Sequence, residues 1–106
     1  KTPFGIDCSG FTQMVYKING YKILRDAKDQ ATQGVTLSFI EESEPGDLAF
    51  FNNDNDEIIH VGIILKDNHI IHASGKVRID RLDQSGIYNN EKNKHTHSLR
   101  YIKKII

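Results

Sequence analysis

The sequence predicts an α+β domain in which N-terminal helices pack on an antiparallel β-sheet. Apolar residues recur at helical spacing between about Cys8 and Gly20. From Leu48 onwards, short apolar runs separated by turn residues are typical of strands. The chain of 106 residues is long enough to bury one core without a disulfide, so we expect a single domain over 1–106.

Two helices are predicted in the N-terminal part, after a loop over 1–7. The first helix begins near Cys8 and is stopped by Gly20. Asp26 is placed near the cap of a second, short helix, which Gly34 ends. The apolar face of the first helix consists of Phe11, Met14, Val15 and Ile18.

The strands are expected to form an antiparallel sheet. The turn at 44–47 leads into a first strand, and residues 66–68 form a hairpin loop. Residues 83–97 are polar and are expected to be irregular. Strands are predicted at 48–51, 58–65, 69–74 and 76–82, with a last one near 99–105.

Two histidines lie within the apolar strands of the predicted hairpin. With a three-residue loop over 66–68, Gly62 lies opposite His72, and His60 lies diagonally from His72 on the same face. A two-residue turn would place the two histidines on opposite faces. Asn68 favours the longer loop because it tolerates the left-handed backbone that a three-residue hairpin needs. Surface positions are expected for the remaining histidines, which are His69, His95 and His97.

Cys8, the single cysteine, is predicted at the start of the first helix. The unpaired N–H groups of a helix N-terminus stabilise a thiolate, so we expect the pKa of Cys8 to be lowered. The same amides can donate to the oxyanion of an acyl-transfer reaction. The polar neighbours Asp7 and Ser9 favour a solvent-accessible thiol over an inert core cysteine. A helix cap is the alternative role for Asp7.

A thiolate nucleophile needs a base, and the base needs a group that orients it. Cys8, His60 and His72 are the candidates for these three roles, in that order. The alternative is a zinc site made from the same residues, although no closely spaced ligand pair anchors one. The triad needs no metal or other cofactor.

Three motifs resemble those of the NlpC-type cell-wall peptidases, and they occur in the family's order. The turn before the family's first central strand is similar to Pro45-Gly46-Asp47-Leu48. The match spans about residues 4 to 82. The three motifs are Asp7-Cys8-Ser9-Gly10-Phe11, His60-Val61-Gly62-Ile63 and Ile71-His72-Ala73-Ser74.

The resemblance implies a papain-like fold with a catalytic triad of Cys8, His60 and His72. It also implies a cysteine endopeptidase that hydrolyses bacterial peptidoglycan stem peptides, typically between γ-D-glutamate and the following diamino acid. The segment 20–30 is most similar to the branch that acts on peptides with a free N-terminal L-alanine. In that branch, the residues at the positions of Asp7 and Ser9 help to bind the substrate's amine.

The resemblance also marks what the chain lacks. The family's Tyr-x-Trp-Gly-Gly-like segment, whose tyrosine assists the oxyanion, would precede Lys1, and the chain contains no tryptophan. We therefore expect an N-terminally truncated domain without its first helix, and SH3-like domains upstream. Leu24 directly precedes Arg25, where the family often has an intervening proline. That departure concerns the sub-branch rather than the triad.

Composition excludes several other classes. The 14 basic and 14 acidic residues balance, which argues against a nucleic-acid-binding surface. No apolar run approaches the roughly 20 residues that cross a bilayer.

For the location of the protein, we expect the bacterial cell envelope or secretion rather than peptide recycling in the cytosol. Two other functions fit the same fold, a thiol amidase or acyltransferase and an inactive cell-wall-binding module.

Overall fold

The computed structural model describes residues 7–106 of the chain. Two α-helices, α1 (Cys8–Ile18) and α2 (Ala27–Gln30), lie in the N-terminal part, and a 3-10 helical turn spans Ile40–Glu42. The strands are β1 (Val35–Leu37), β2 (Leu48–Asn52), β3 (Ile58–Leu65), β4 (His69–Ser74), β5 (Lys76–Asp83), β6 (Gly86–Asn89) and β7 (Lys94–Lys104).

Helix α1 begins and ends where the sequence predicts. Its N-cap is Asp7, whose Oδ1 accepts a hydrogen bond from the Gly10 N–H at 2.7 Å. The chain leaves the helix through Gly20, which has a φ of 89°. Asp26 occupies the N-cap position of α2 but makes no capping hydrogen bond. The predicted loop over 1–7 lies, apart from Asp7, outside the described residues.

The sheet is antiparallel and closes on itself. Its strand order is β1-β7-β2-β3-β4-β5-β6, and β6 also pairs with β7. The N-terminal part of β7 pairs with β6, and the part from Ser98 onwards pairs with β2. Six strands therefore form a small barrel, and β1 lies along the C-terminal end of β7. The predicted antiparallel sheet is confirmed. Within residues 7–106, the helical elements are α1, α2 and the 3-10 turn.

Alternate residues of the strands serve two hydrophobic cores. One core lies between the helices and the outer face of the barrel and includes Phe11, Phe50 and Val61. The other fills the barrel and includes Phe51 and Ile64. Strand β2 is buried on both faces as a result, which explains its continuous apolar run.

The expectation of an irregular segment over 83–97 is wrong. These residues form the end of β5, all of β6 and the start of β7. Strand β6 contributes one large apolar residue, Ile87, to the barrel core. A single apolar residue makes no alternating pattern, so the sequence does not mark this hairpin. Strand β1 and the 3-10 helical turn also have no counterpart in the prediction.

Candidate active site

The β3–β4 hairpin brings His60 and His72 together. Gly62 pairs with His72, which is the register of the predicted three-residue loop, and Asn68 has a positive φ of 58°. Nε2 of His60 lies 2.8 Å from Nδ1 of His72, and the two rings are nearly perpendicular at 88°. A Cβ on Gly62 would lie 3.0 Å from the Cβ of His72, so a side chain there would press on the pair. The predicted hairpin geometry is confirmed.

A carboxylate extends the histidine pair on its far side. Oδ2 of Asp80 lies 2.8 Å from Nε2 of His72, and both side chains are buried. Arg78 holds the same carboxylate with two hydrogen bonds, Nε to Oδ2 at 2.8 Å and Nη2 to Oδ1 at 3.1 Å. Burial raises the pKa of Asp80, but the bonds from Arg78 and His72 outweigh this and lower it. Asp80 is therefore a carboxylate at neutral pH.

The sequence reasoning missed Asp80, although a signal was present. Strand β5 was predicted, and Asp80 occupies the same strand face as Leu82, which enters the barrel core. A charged residue on a core-facing position needs a partner. Asp80 pairs across the sheet with Ile70, two residues before His72.

His60 is an uncharged base at neutral pH. Burial lowers its pKa to about 3, and repulsion from His97 and His72, when these are protonated, acts in the same direction. The ring of Phe51 lies against it, with 5.8 Å between the ring centroids. Because Nε2 faces His72, the nitrogen of His60 that remains for a reaction is Nδ1.

Cys8 is the first residue of α1 and is half-buried. Its thiol lies near the backbone N–H groups of Val61, the residue after His60, and of Ser9. These contacts favour the thiolate, but burial outweighs them and raises the pKa of Cys8, and the Asp7 carboxylate adds to the rise. The expectation of a lowered pKa is therefore wrong for the free protein. Cys8 is therefore a thiol at neutral pH, and it lies beside strand β3, which carries the neutral His60.

His97 departs from the expected surface position. Its ring stacks on that of His60 with 4.2 Å between the centroids and 25° between the planes. Burial, followed by the proximity of His72, lowers the pKa of His97 to about 4. His95 is exposed, as expected, and His69 is half-buried. His97 was missed because its segment gave no strand signal, so its side chain could not be assigned to the barrel interior.

Asp7 and Ser9 lie beside the cysteine and share one partner. Nη2 of Arg25 lies 2.7 Å from Oδ2 of Asp7, and its Nη1 donates to Oγ of Ser9 at 3.0 Å. Buried Gln30 donates to the Ser9 carbonyl at 3.0 Å and to the Leu24 carbonyl at 2.8 Å, which fixes the loop that carries Arg25. The capping role of Asp7 is confirmed. A polar cluster therefore borders the thiol.

The described part of the chain contains neither a metal-binding group nor a membrane-spanning helix. Within residues 7–106, no three His, Cys, Asp or Glu side chains are arranged to hold a metal ion, so the geometry gives no support to the zinc alternative. No helix in the same range has the length and apolar character that a membrane span needs.

Comparison with known proteins places this chain in a family. The family model described as NlpC/P60 matches residues 1–99. A γ-D-glutamyl-L-lysine dipeptidyl-peptidase of Bacillus subtilis (strain 168) is 40% identical over 72 residues, which cover 66% of this chain and 24% of that protein. The crystal structure of an NlpC/P60 family protein from Bacillus cereus is similar with a TM-score of 0.70 and 34% identity, over 92% of this chain and 32% of that one.

The small antiparallel barrel with its N-terminal helix is thus the NlpC/P60 fold. The chain belongs to the NlpC/P60 family, and the resemblance seen in the sequence is confirmed. It spans about a quarter of the Bacillus subtilis relative's length. The fold also occurs in RipD of Mycobacterium tuberculosis, described as a non-catalytic peptidoglycan-binding protein, with a TM-score of 0.72 and 20% identity over 96% of this chain and 68% of that one. Family membership alone therefore does not establish catalysis.

Proposed function

We propose that this chain is the catalytic domain of a cysteine endopeptidase that hydrolyses peptidoglycan stem peptides between γ-D-glutamate and the following diamino acid. The observation that carries the proposal is the buried His60–His72 pair, with 2.8 Å between Nε2 and Nδ1, in which His60 directly precedes Val61, whose N–H lies near the Cys8 thiol. The relative named γ-D-glutamyl-L-lysine dipeptidyl-peptidase supports the choice of bond.

In the first half of the reaction, Cys8 is the nucleophile and His60 the base. Nδ1 of neutral His60 takes the thiol proton as the sulfur attacks the carbonyl carbon. The first-turn N–H groups of Cys8 and Ser9 donate to the oxyanion that forms. The tetrahedral intermediate collapses to a thioester, and His60 gives its proton to the leaving amine of the diamino acid.

In the second half, the same base acts on water. His60 removes a proton from a water molecule that attacks the thioester carbon, and the proton returns to the Cys8 sulfur when the acid product leaves. His72 holds the ring of His60 through the Nε2–Nδ1 contact, so that Nδ1 stays directed at the reaction. No metal or other cofactor takes part in this scheme.

Asp7 and Ser9 bind the substrate's free N-terminal amine in this proposal. Oδ2 of Asp7 is already engaged by Arg25, whose side chain is 45% exposed. An incoming ammonium group therefore shares the carboxylate with Arg25 rather than finding it unoccupied. Because an internal chain segment has no free ammonium group, this contact favours a peptide with a free N-terminus.

The test is hydrolysis of the tripeptide L-Ala-γ-D-Glu-diamino acid by the full-length protein, followed by mass spectrometry. We expect release of the free diamino acid and L-Ala-D-Glu, and no release by the Cys8→Ala variant. A defined amide or ester substrate is supplied in parallel, because a thiol amidase or acyltransferase would act on that substrate and not on the tripeptide. A folded protein that cleaves no substrate but sediments with peptidoglycan would be a wall-binding module, and the peptidase proposal would be wrong.

A further inference from the structure

The histidine pair does not end at His72. Nε2 of His60 lies 2.8 Å from Nδ1 of His72, and Nε2 of His72 lies 2.8 Å from Oδ2 of Asp80. Arg78 fixes the carboxylate from the other side. The side chains of His72 and Asp80 are 1% and 7% exposed, so water does not compete for these contacts.

This order of groups allows only one arrangement of protons among the neutral rings. Asp80 is ionised and can only accept, so the Nε2 of His72 must carry a hydrogen. The Nδ1 of neutral His72 is then an acceptor, and the Nε2 of His60 must carry the hydrogen between the rings. The Nδ1 of His60 is left with its lone pair. The carboxylate thus determines, through two rings, which nitrogen is the base for Cys8.

The same carboxylate supplies a charge that a histidine pair lacks. When Nδ1 of His60 takes the proton from Cys8, a positive charge appears in a buried place. A neutral His72 can orient that ring but offers no negative charge. Asp80 offers one, although the ring of His72 lies between it and His60, and Asp80 stays ionised throughout. The only proton that moves in this step passes from sulfur to Nδ1 of His60.

We infer that Asp80 is a positioning residue of the active site, which selects the tautomers of His72 and His60 and stabilises the protonated base. The inference rests on the proposed cysteine peptidase function and deepens it, because it adds a fourth member that acts through His72 without touching the substrate.

The chain contains a matched control for Asp80. Asp83 lies on the same strand and contacts His95, with 2.8 Å between Oδ2 and Nε2, but this pair is exposed. Its Oδ1 also accepts from the backbone N–H groups of Ser85 and Gly86. An Asp→Asn substitution keeps an acceptor oxygen at either position and removes the charge, so the same chemical change is made once in a buried pair and once in an exposed pair.

The first experiment records long-range ¹H–¹⁵N correlation spectra of the histidine rings near pH 7, on full-length protein and on Cys8→Ala, Asp80→Asn and Asp83→Asn variants. In the wild-type protein we expect His60 and His72 each to carry the hydrogen on Nε2. Asp80→Asn should mix the tautomers of both rings, because an asparagine amide can donate to Nε2 as well as accept from it. Asp83→Asn should change neither ring. A wild-type His72 with its hydrogen on Nδ1 would overturn the inference without any variant.

The second experiment measures kcat and KM on the stem tripeptide. We expect Asp80→Asn to lower kcat by about 10- to 100-fold with KM unchanged, which is the cost typical of losing a carboxylate that orients a functional histidine at metal sites. Asp83→Asn should equal the wild type. Equal kcat for the two variants, per folded molecule, would show that Asp80 is only structural.

The two experiments separate the failure of this inference from that of the proposed function. A wild-type protein that cleaves no stem peptide refutes the peptidase, and the tautomers then decide on Asp80 by themselves. If Asp80→Asn does not fold, the wild-type spectra still report the tautomers of His72 and His60. In the kinetic comparison, Arg78→Gln then takes the place of Asp80→Asn, because it loosens the Asp80 carboxylate but leaves it present. An unchanged kcat in Arg78→Gln together with Nδ1–H on His72 rejects the inference.

Discussion

Strand β5 carries two aspartates that each contact a histidine, and the two pairs share a distance but not an environment. Asp80 reaches His72 and Asp83 reaches His95, in both cases with 2.8 Å between Oδ2 and Nε2. The side chains of the first pair are 1% and 7% exposed, and those of the second are 42% and 53% exposed. Contact distance alone therefore does not distinguish a member of the site from a surface ion pair.

What distinguishes the pairs is burial and continuation. His72 also contacts His60, whereas the ring of His95 lies near that of Tyr88, with 5.3 Å between the centroids. In the buried pair, a hydrogen bond in a low-dielectric interior fixes one proton position. In the exposed pair, water competes for every donor and acceptor. The same two side chains thus form a buried, extended hydrogen-bond chain in one place and an exposed ion pair in the other.

The largest expected contrast is catalytic. His72→Ala should lower kcat on the stem tripeptide by about 10³-fold or more, because loss of the group that orients the base has costs of this order in related triads. His95→Ala should leave kcat unchanged. Steady-state kinetics on both variants provide the measurement, with circular dichroism to establish that each is folded. Equal activities would mean that the buried pair has no catalytic role.

The next contrast concerns stability in acid. The pKa values of His60 and His97 are lowered to about 3 and about 4, against an ordinary 6.5. The unfolded chain therefore binds protons first, so stability is fully present above about pH 6.5 and decreases as the pH falls towards these values. Each ring contributes a slope of about 1.4 kcal/mol per pH unit to the free energy of unfolding. Urea unfolding at a series of pH values between about 7.5 and 5 measures it.

Two variants assign this slope to the buried rings. His97→Phe keeps a ring that can stack on His60 but removes one titrating group, so the slope should fall by up to about 1.4 kcal/mol per pH unit. His95→Asn, which alters the exposed pair, should leave the slope as it is. A free energy of unfolding that stays constant from pH 7 to pH 5 in the wild type would contradict the lowered pKa values.

The hairpin that carries the histidine pair could be predicted from the sequence. Strand limits, loop length and strand alternation are local properties, and Asn68 indicated the loop type that places His60 and His72 on one face. The start of α1 at Cys8 is likewise a local signal, given by the capping residue Asp7.

The remaining parts of the site depend on contacts between distant segments. His97 becomes part of it only because the barrel closes through the β6–β7 pairing, and that hairpin carries little apolar alternation. The link from Arg25 to Asp7 and Ser9 is also tertiary. The pKa of Cys8 was predicted in the wrong direction because the helix terminus is visible in the sequence, whereas the burial of the thiol is not.

The smallest expected effect is at the exposed pair. Asp83→Asn should change the free energy of unfolding by at most about 1 kcal/mol, and less at high salt, because exposed ion pairs contribute little and are screened. Asp83→Ala should cost more than Asp83→Asn, since it also removes the acceptor for the Ser85 and Gly86 N–H groups in the turn. Urea unfolding of both variants at low and high salt checks the order. A salt-independent loss of several kcal/mol in Asp83→Asn would show that the pair behaves as a buried one, and that exposure is not what separates it from Asp80 and His72.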